Sequence, residues 1–113
     1  MIIIIFCTCI IAPSNPPERL NVTAVSSSSL SLTWSPPPVN TRNGIIREYR
    51  INITELDTGR ELVLYSITTS LIATSLHPYY AYICRVSAFT VGYGPYSEGT
   101  QITTPEDGEG KIM

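Results

Sequence analysis

Apolar and polar residues alternate along most of the chain, with one residue predicted inward and the next outward. This alternation is typical of half-buried strands, because successive side chains of a strand point to opposite sides of a sheet. The predicted inward sets are Leu20, Val22 and Ala24; Leu30, Leu32 and Trp34; Tyr49, Ile51 and Ile53; and Tyr82, Cys84, Val86 and Ala88. In the last of these segments, Arg85 and Ser87 are predicted to face outward. No segment shows helical spacing of its apolar residues.

Turn residues separate the alternating segments. Prolines at 36–38 end the second strand, because a proline has no amide N–H to donate within a ladder. Asn43-Gly44 and the segment 57–59 predict turns, and shorter strands are expected within 61–67, within 71–76 and around Ile102. The result is an all-β, seven-stranded antiparallel sandwich. Prolines are expected to keep other strands from adding to its edges.

An apolar run of 11 residues, Ile2 to Ala12, opens the chain. It is shorter than the about 20 residues that a membrane-spanning helix needs, and its length suits a secretory signal cleaved after Ala12. A clipped transmembrane segment and a gene-model artefact remain as alternatives, since no Lys or Arg precedes the run. The predicted organisation is a leader at 1–12, a folded domain at 13–105 and a linker or tail at 106–113.

Composition narrows the class of protein. The net charge is −2 and charged residues make up 14% of the chain, which argues against a nucleic-acid-binding protein because such a protein needs clustered cations. Apolar residues make up 43%, and seven Tyr, two Phe and one Trp are present, enough for a core without an obligate oligomer.

Candidate chemistry is sparse. Cys7 and Cys9 lie in the leader, so Cys84 would be the only cysteine of the domain, and we expect a buried thiol without a disulfide or metal. The one histidine, His77, lies in a loop with no carboxylate near it in sequence. The segment 92–94 lacks the third glycine and the helix of a dinucleotide-binding loop. We therefore predict no enzyme, no cofactor and no metal site.

Several of these features, taken together, resemble a fibronectin type III domain over residues 16–105. Leu76-His77-Pro78 followed by Tyr82 is similar to the tyrosine corner of this family, in which the phenolic oxygen bonds to upstream main chain. The other features of the resemblance are Trp34 before the proline run, Asn43-Gly44 leading to Tyr49, and a loop with Gly92, Gly94, Pro95 and Ser97. Cys84 departs from the pattern, because the family more often has a larger residue there.

The resemblance implies a function as well as an immunoglobulin-like fold. Similar domains form tandem arrays in cell-adhesion molecules and receptor-type tyrosine phosphatases. We therefore expect a non-catalytic, extracellular protein-binding and spacer module, attached to a membrane only through a parent protein. Two alternatives are a purely structural spacer and an intracellular cytoskeletal domain.

Three kinds of surface residue are candidates for modification or partner contact. Asn21 and Asn52 begin Asn-X-Thr sequences, which accept N-linked glycans in secreted proteins. Arg50 and Arg85 are expected outward on neighbouring strands, which the resemblance places in one sheet. Tyr93 and Tyr96 flank Gly94-Pro95 in the last loop, where exposed aromatic residues can anchor a protein partner. The chain contains no Arg-Gly-Asp sequence.

Overall fold

Two antiparallel sheets pack face to face in the computed structural model, which describes residues 12–106. The strands are β1 (Glu18–Ser26), β2 (Ser29–Ser35), β3 (Glu48–Glu55), β4 (Glu61–Ser66), β5 (Ser70–Ala73), β6 (Ala81–Phe89) and β7 (Thr100–Thr103). One sheet has the order β1-β2-β5 and the other β4-β3-β6-β7. A 3-10 turn at Val39–Thr41 lies in the connection between β2 and β3. The predicted seven-stranded sandwich is confirmed.

The core lies between the sheets and is built from the inward residues of β2, β3 and β6. Residues of β3 alternate strictly between half-buried and buried, as the sequence predicts. Trp34 and Tyr49 meet edge to face across the two layers, with ring centroids 5.4 Å apart. The large aliphatic residues that are fully buried are Leu30, Leu32, Ile51, Ile53 and Val86. The cluster is completed by Val22, Ala73, Leu76, Tyr82, Cys84 and Ala88.

Cys84 lies in the middle of this core and has no exposed surface. It pairs with Ile53 of β3 on one side and with Thr100 of β7 on the other. Burial disfavours the thiolate and raises the pKa of Cys84 to about 12. The thiol therefore packs as a small apolar group, as we predicted. Cys7 and Cys9 lie outside the described residues.

Two positions differ from the predicted pattern of exposure. Ala24 is exposed rather than inward, because it lies near the end of an edge strand where the register of β1 with β2 shifts. Ser87 faces outward yet is fully buried. The β6–β7 connection folds back along β6, with the N–H of Ser97 donating to the carbonyl oxygen of Val86 at 2.8 Å. This connection therefore covers the outward position of Ser87.

The edges of the sheets are protected differently from our expectation. Prolines precede β1, but β4 and β5 contain none, so proline does not protect these two edges. β4 also exposes Leu62, Val63 and Tyr65, with 38%, 40% and 57% of their surface accessible. An apolar edge strand of this kind has unpaired main-chain groups along one side. β4 is therefore an edge strand that proline does not protect.

The chain enters and leaves the sandwich at opposite ends. The connections β2–β3, β4–β5 and β6–β7 form one end, called here the Val91 end, and β3–β4 and β5–β6 lie at the other, the Tyr79 end. At the Val91 end, the amide of Asn43 donates to the carbonyl oxygen of Ala12 at 2.8 Å, and Pro13 is buried. Residues 1–11 and 107–113, most of the predicted leader and tail, lie outside the described residues. The boundaries at 13 and 105 stay predictions.

Candidate interaction surface

The loop before β6 is fixed by hydrogen bonds from side chains to main chain. The phenolic oxygen of Tyr82 accepts a hydrogen bond of 2.9 Å from the N–H of His77, which is the geometry expected of a tyrosine corner. Leu76 is buried beside it and Pro78 is half-buried. Burial raises the pKa of Tyr82, so its hydroxyl stays protonated. These residues hold the loop in place, and Leu76, His77 and Tyr82 also line a small pocket of about 190 Å³ beside it.

Thr104 completes this loop and was not anticipated from the sequence. Its hydroxyl donates to the carbonyl oxygen of His77 at 2.7 Å and accepts from the N–H of Tyr80 at 3.0 Å. The residue is fully buried. No local pattern predicts this role, because the loop and Thr104 are far apart in the sequence. The contact ties the end of the domain to the tyrosine corner.

A buried carboxylate was also missed. Glu55 is 5% exposed and accepts a hydrogen bond of 2.6 Å from the hydroxyl of Thr58, and Nδ1 of His77 lies 2.9 Å from its second oxygen. The hydrogen bond from Thr58, and next that from His77, lower the pKa of Glu55. The signal was present in the sequence, because Glu55 continues the inward set of β3 that contains Ile51 and Ile53.

Three of the candidate contact residues contact one another. The guanidinium carbon of Arg50 lies 4.0 Å from the ring centroid of Tyr93 and 4.9 Å from that of Tyr96. Tyr93 also packs against Phe89, with ring centroids 4.8 Å apart, and its hydroxyl donates to the carboxylate of Glu48. Both tyrosines are half-buried rather than exposed. This cluster, the Arg50 stack, is built from intramolecular cation–π contacts.

Burial in the Arg50 stack favours the neutral form of both tyrosines. Burial, and next the hydrogen bond to Glu48, raise the pKa of Tyr93. Burial also raises the pKa of Tyr96, although the charge of Arg50 opposes this shift. The Nε atom of Arg50 is buried and has no hydrogen-bond partner among the described residues. The rings of the two tyrosines, rather than a carboxylate, therefore surround this charge.

Arg85 and Asn52 lie side by side on the outer face of the four-stranded sheet. They are directly paired across β3 and β6, as Arg50 is paired with Ser87. An open groove of about 480 Å³ runs over this face. Its lining includes Arg50, Asn52, Glu61, Tyr65, Arg85 and Tyr96. We call it the outer groove. Asn21, by contrast, is exposed on the edge strand β1 of the other sheet.

Gly94 and Pro95 shape the loop that carries both tyrosines. A Cβ atom on Gly94 would lie 2.5 Å from the carbonyl oxygen of Pro13, so only glycine fits beside the incoming chain. The N–H of Gly94 donates to the carbonyl oxygen of Ala88 at 2.9 Å. Pro95 is exposed. The loop therefore joins the N-terminal segment to the end of β6.

Comparison with known proteins identifies the family. A profile of the fibronectin type III domain matches residues 15–103, which contain all seven strands. The chain belongs to the fibronectin type III family. The resemblance stated from the sequence is therefore confirmed. Among residues 12–106, no three His, Cys, Asp or Glu side chains are grouped so that they could hold a metal ion. No helix in that range is long and apolar enough to cross a membrane.

Relatives of this fibronectin type III domain occur in much longer proteins. The chain is 42% identical over 93 residues to phosphatidylinositol phosphatase PTPRQ of Rattus norvegicus, which covers 80% of this chain and 4% of that protein. It is 35% identical over 97 residues to the netrin receptor DCC of Mus musculus, covering 84% of this chain and 7% of that protein. A crystal structure of domains A168–A170 of titin superposes with a TM-score of 0.74 at 26% identity, covering 84% of this chain and 33% of that one.

Proposed function

We propose that this fibronectin type III domain is a non-catalytic, extracellular module that binds a protein partner as part of a larger cell-surface receptor. The relatives support the setting, since DCC is named as a receptor and the similarity to PTPRQ covers one small part of a phosphatase. We propose that the predicted domain at 13–105 is one unit of that larger protein. The linker predicted after it would connect it to a neighbouring domain.

The apolar surface of the Val91 end carries this proposal. Val39, Ile45 and Val91 expose 75%, 77% and 65% of their surface, and all three lie on loops of that end. Loops at one end of a rigid sandwich are common binding sites, and burying such side chains against a partner removes apolar surface from water. The Arg50 stack is less suited to this role, because its groups already contact one another.

The test uses a panel of cells, each of which displays one cell-surface protein. A fluorescent multimer of the whole chain is added, and its binding to each kind of cell is measured. We expect a binding partner, and we expect Ile45→Lys and Val91→Lys to weaken binding at least about tenfold, as loss of a central interface contact does. Ile72→Lys is the matched control. Ile72 is 56% exposed, but it lies in β5, away from these loops. Equal binding by all variants would contradict the assignment of the Val91 end.

A spacer is the second candidate function, and the path of the chain supports it. Ala12 is held at the Val91 end, whereas Thr104 is held at the Tyr79 end, so the domain would hold its two neighbouring segments apart by its own length. The same binding experiment distinguishes the two functions. A spacer that binds nothing would give no signal above background for the unmodified chain on any displayed protein.

The extracellular location has its own test, because a sandwich fold by itself does not determine where a protein is located. Antibodies against residues 12–106 should stain intact cells that express the parent protein. Staining only after permeabilisation would favour an intracellular, cytoskeletal domain and would overturn the proposed location.

A further inference from the structure

The outer groove surrounds one of the two glycan-acceptor sequences. Asn52-Ile53-Thr54 lies in β3, a central strand, with Ile53 in the core and the side chains of Asn52 and Thr54 on the outer face. Val63 of β4 is the direct partner of Asn52 on one side, and Arg85 of β6 is its partner on the other. Directly paired side chains of this kind have Cβ atoms about 5 Å apart. Asn52 is therefore in the middle of the groove.

The hydrogen bonds of Asn52 are compatible with a sugar on its nitrogen. Its Oδ1 accepts from the hydroxyl of Thr54 at 2.7 Å, and its Nδ2 donates to Oε1 of Glu61 at 3.3 Å. An asparagine amide has two N–H groups, and N-glycosylation replaces one of these hydrogens. The oxygen and one N–H remain, so both contacts can persist after modification.

The groove walls suit the first sugars of such a glycan. Tyr65 is 57% exposed, and Tyr96 presents the edge of the Arg50 stack to the same groove. The C–H faces of a sugar pack against aromatic rings, whose bodies are apolar. The side chain of Arg85 forms no hydrogen bond or ion pair with the described residues, so its five N–H donors are available to sugar hydroxyl and acetamide oxygens.

We propose that Asn52 carries an N-linked glycan whose first sugar residues lie in the outer groove, against Tyr65, Tyr96 and Arg85. The inference rests on the proposed extracellular function, because the modification takes place in the secretory pathway. A glycan in this position would cover the outer face of the four-stranded sheet and the outward side of the exposed edge strand β4. Partner binding would then fall to the loops of the Val91 end.

Asn21 offers an internal comparison. Its side chain has no hydrogen bond with the described residues, and it does not line the outer groove. Asn21 is paired with Thr33 of β2, and none of the residues paired between β1 and β2 is aromatic. A glycan on Asn21 would extend into solvent. The two acceptors should therefore differ in how readily their glycans are removed from the folded chain.

The experiment uses the whole chain with an ordinary secretory signal added before it, so that its outcome does not depend on the native location. Glycosidase treatment in heavy-oxygen water marks each formerly glycosylated asparagine, and trypsin separates the sites because it cuts after Arg19, Arg50 and Arg60. We expect the mark on Asn52. Asn52→Gln and Thr54→Ala should abolish it, whereas Thr54→Ser, which preserves the acceptor sequence, should keep it. An unmarked Asn52 in the secreted chain overturns the site.

Contact with the groove is tested by the rate of glycan removal without denaturation. In the Asn21→Gln chain, removal from Asn52 should be slow, and Tyr65→Ser, which removes an exposed ring, should speed it about tenfold, as loss of about 1.4 kcal/mol of contact would. A rate unchanged by Tyr65→Ser overturns the groove contact. Absence of the parent protein from the cell surface, with Asn52 marked in the signal-bearing chain, would instead count against the proposed extracellular function.

Discussion

The main-chain N–H of His77 donates a hydrogen bond of 2.9 Å to the phenolic oxygen of Tyr82. The carbonyl oxygen of the same residue accepts from the hydroxyl of Thr104 at 2.7 Å. Both main-chain polar groups of His77 are thus satisfied by side chains, although no strand includes this residue. The loop before β6 depends on these two part-buried contacts, since a main-chain group removed from water without a partner is costly.

Tyr82→Phe should lower the free energy of unfolding by about 1–2 kcal/mol, because it removes the acceptor for the N–H of His77. Tyr80→Phe is the matched control. Tyr80 packs its ring near that of Tyr82, with centroids 6.5 Å apart, but its hydroxyl has no hydrogen bond with the described residues. Urea denaturation of both variants measures the difference. Equal losses would show that the hydroxyl of Tyr82 contributes nothing specific.

Glu55 should make the domain less stable in acid. The hydrogen bonds from Thr58 and His77 hold the pKa of Glu55 below its ordinary value of 4.5. A carboxyl whose pKa is lower in the folded chain than in the unfolded one stabilises the fold above the unfolded pKa, and this stabilisation is lost as pH falls through the folded pKa. The free energy of unfolding should therefore decrease as pH falls below about 4.5.

Glu55→Gln separates this group from the other carboxylates. The variant should be less stable than the unmodified chain at neutral pH, and the difference should shrink in acid, where the carboxyl of the unmodified chain is protonated. Urea denaturation at several pH values measures both curves. A constant difference between them at all pH values would show that ionisation of Glu55 does not contribute.

Arg50 and Arg85 should differ in their contribution to stability. Arg50→Met keeps an unbranched apolar stem but removes the charge between Tyr93 and Tyr96, and should cost about 0.5–2 kcal/mol, as a partly desolvated cation–π contact does. Arg85→Met should change stability by less than about 0.5 kcal/mol, since the side chain of Arg85 has no ion pair or hydrogen bond with the described residues. Thermal or urea unfolding of the pair tests this. The reverse order would contradict the Arg50 stack as a structural unit.

Gly94→Ala should destabilise the domain more than Gly99→Ala. A Cβ on Gly94 meets the main-chain oxygen of Pro13 at 2.5 Å, whereas a Cβ on Gly99 meets the end of the Ile83 side chain at the same distance. A side-chain end can rotate away, but main chain must shift, and such overpacking costs about 1–3 kcal/mol. Protease sensitivity near Pro13 should rise in Gly94→Ala alone. Similar effects of both variants would contradict a fixed N-terminal segment.

Much of the fold was predictable because its signals are local. The alternation in β3 and β6 identified Tyr49, Ile51 and Val86 as core residues, and all three are buried. Ala24 is exposed although the alternation predicts it inward. Alternation predicts the face of the sheet but not whether another layer covers the end of an edge strand. Glu55 lies at an inward position of the same alternation and was overlooked because it is charged. Thr104 had no local signal, since its partners belong to a loop distant in sequence.

The candidate site also separates what local sequence patterns predict from what only the tertiary structure determines. Arg50 and Arg85 have equivalent sequence signatures, each an outward arginine in an alternating strand, and the resemblance to the family placed both strands in one sheet. The β6–β7 connection decides which of the two arginines makes cation–π contacts. It folds back so that Tyr93 and Tyr96 contact Arg50 and not Arg85. Periodicity specifies the strands and their faces, because these follow from neighbouring residues. Contacts between residues far apart in the chain follow from how the strands pair and the loops return, which no local pattern encodes.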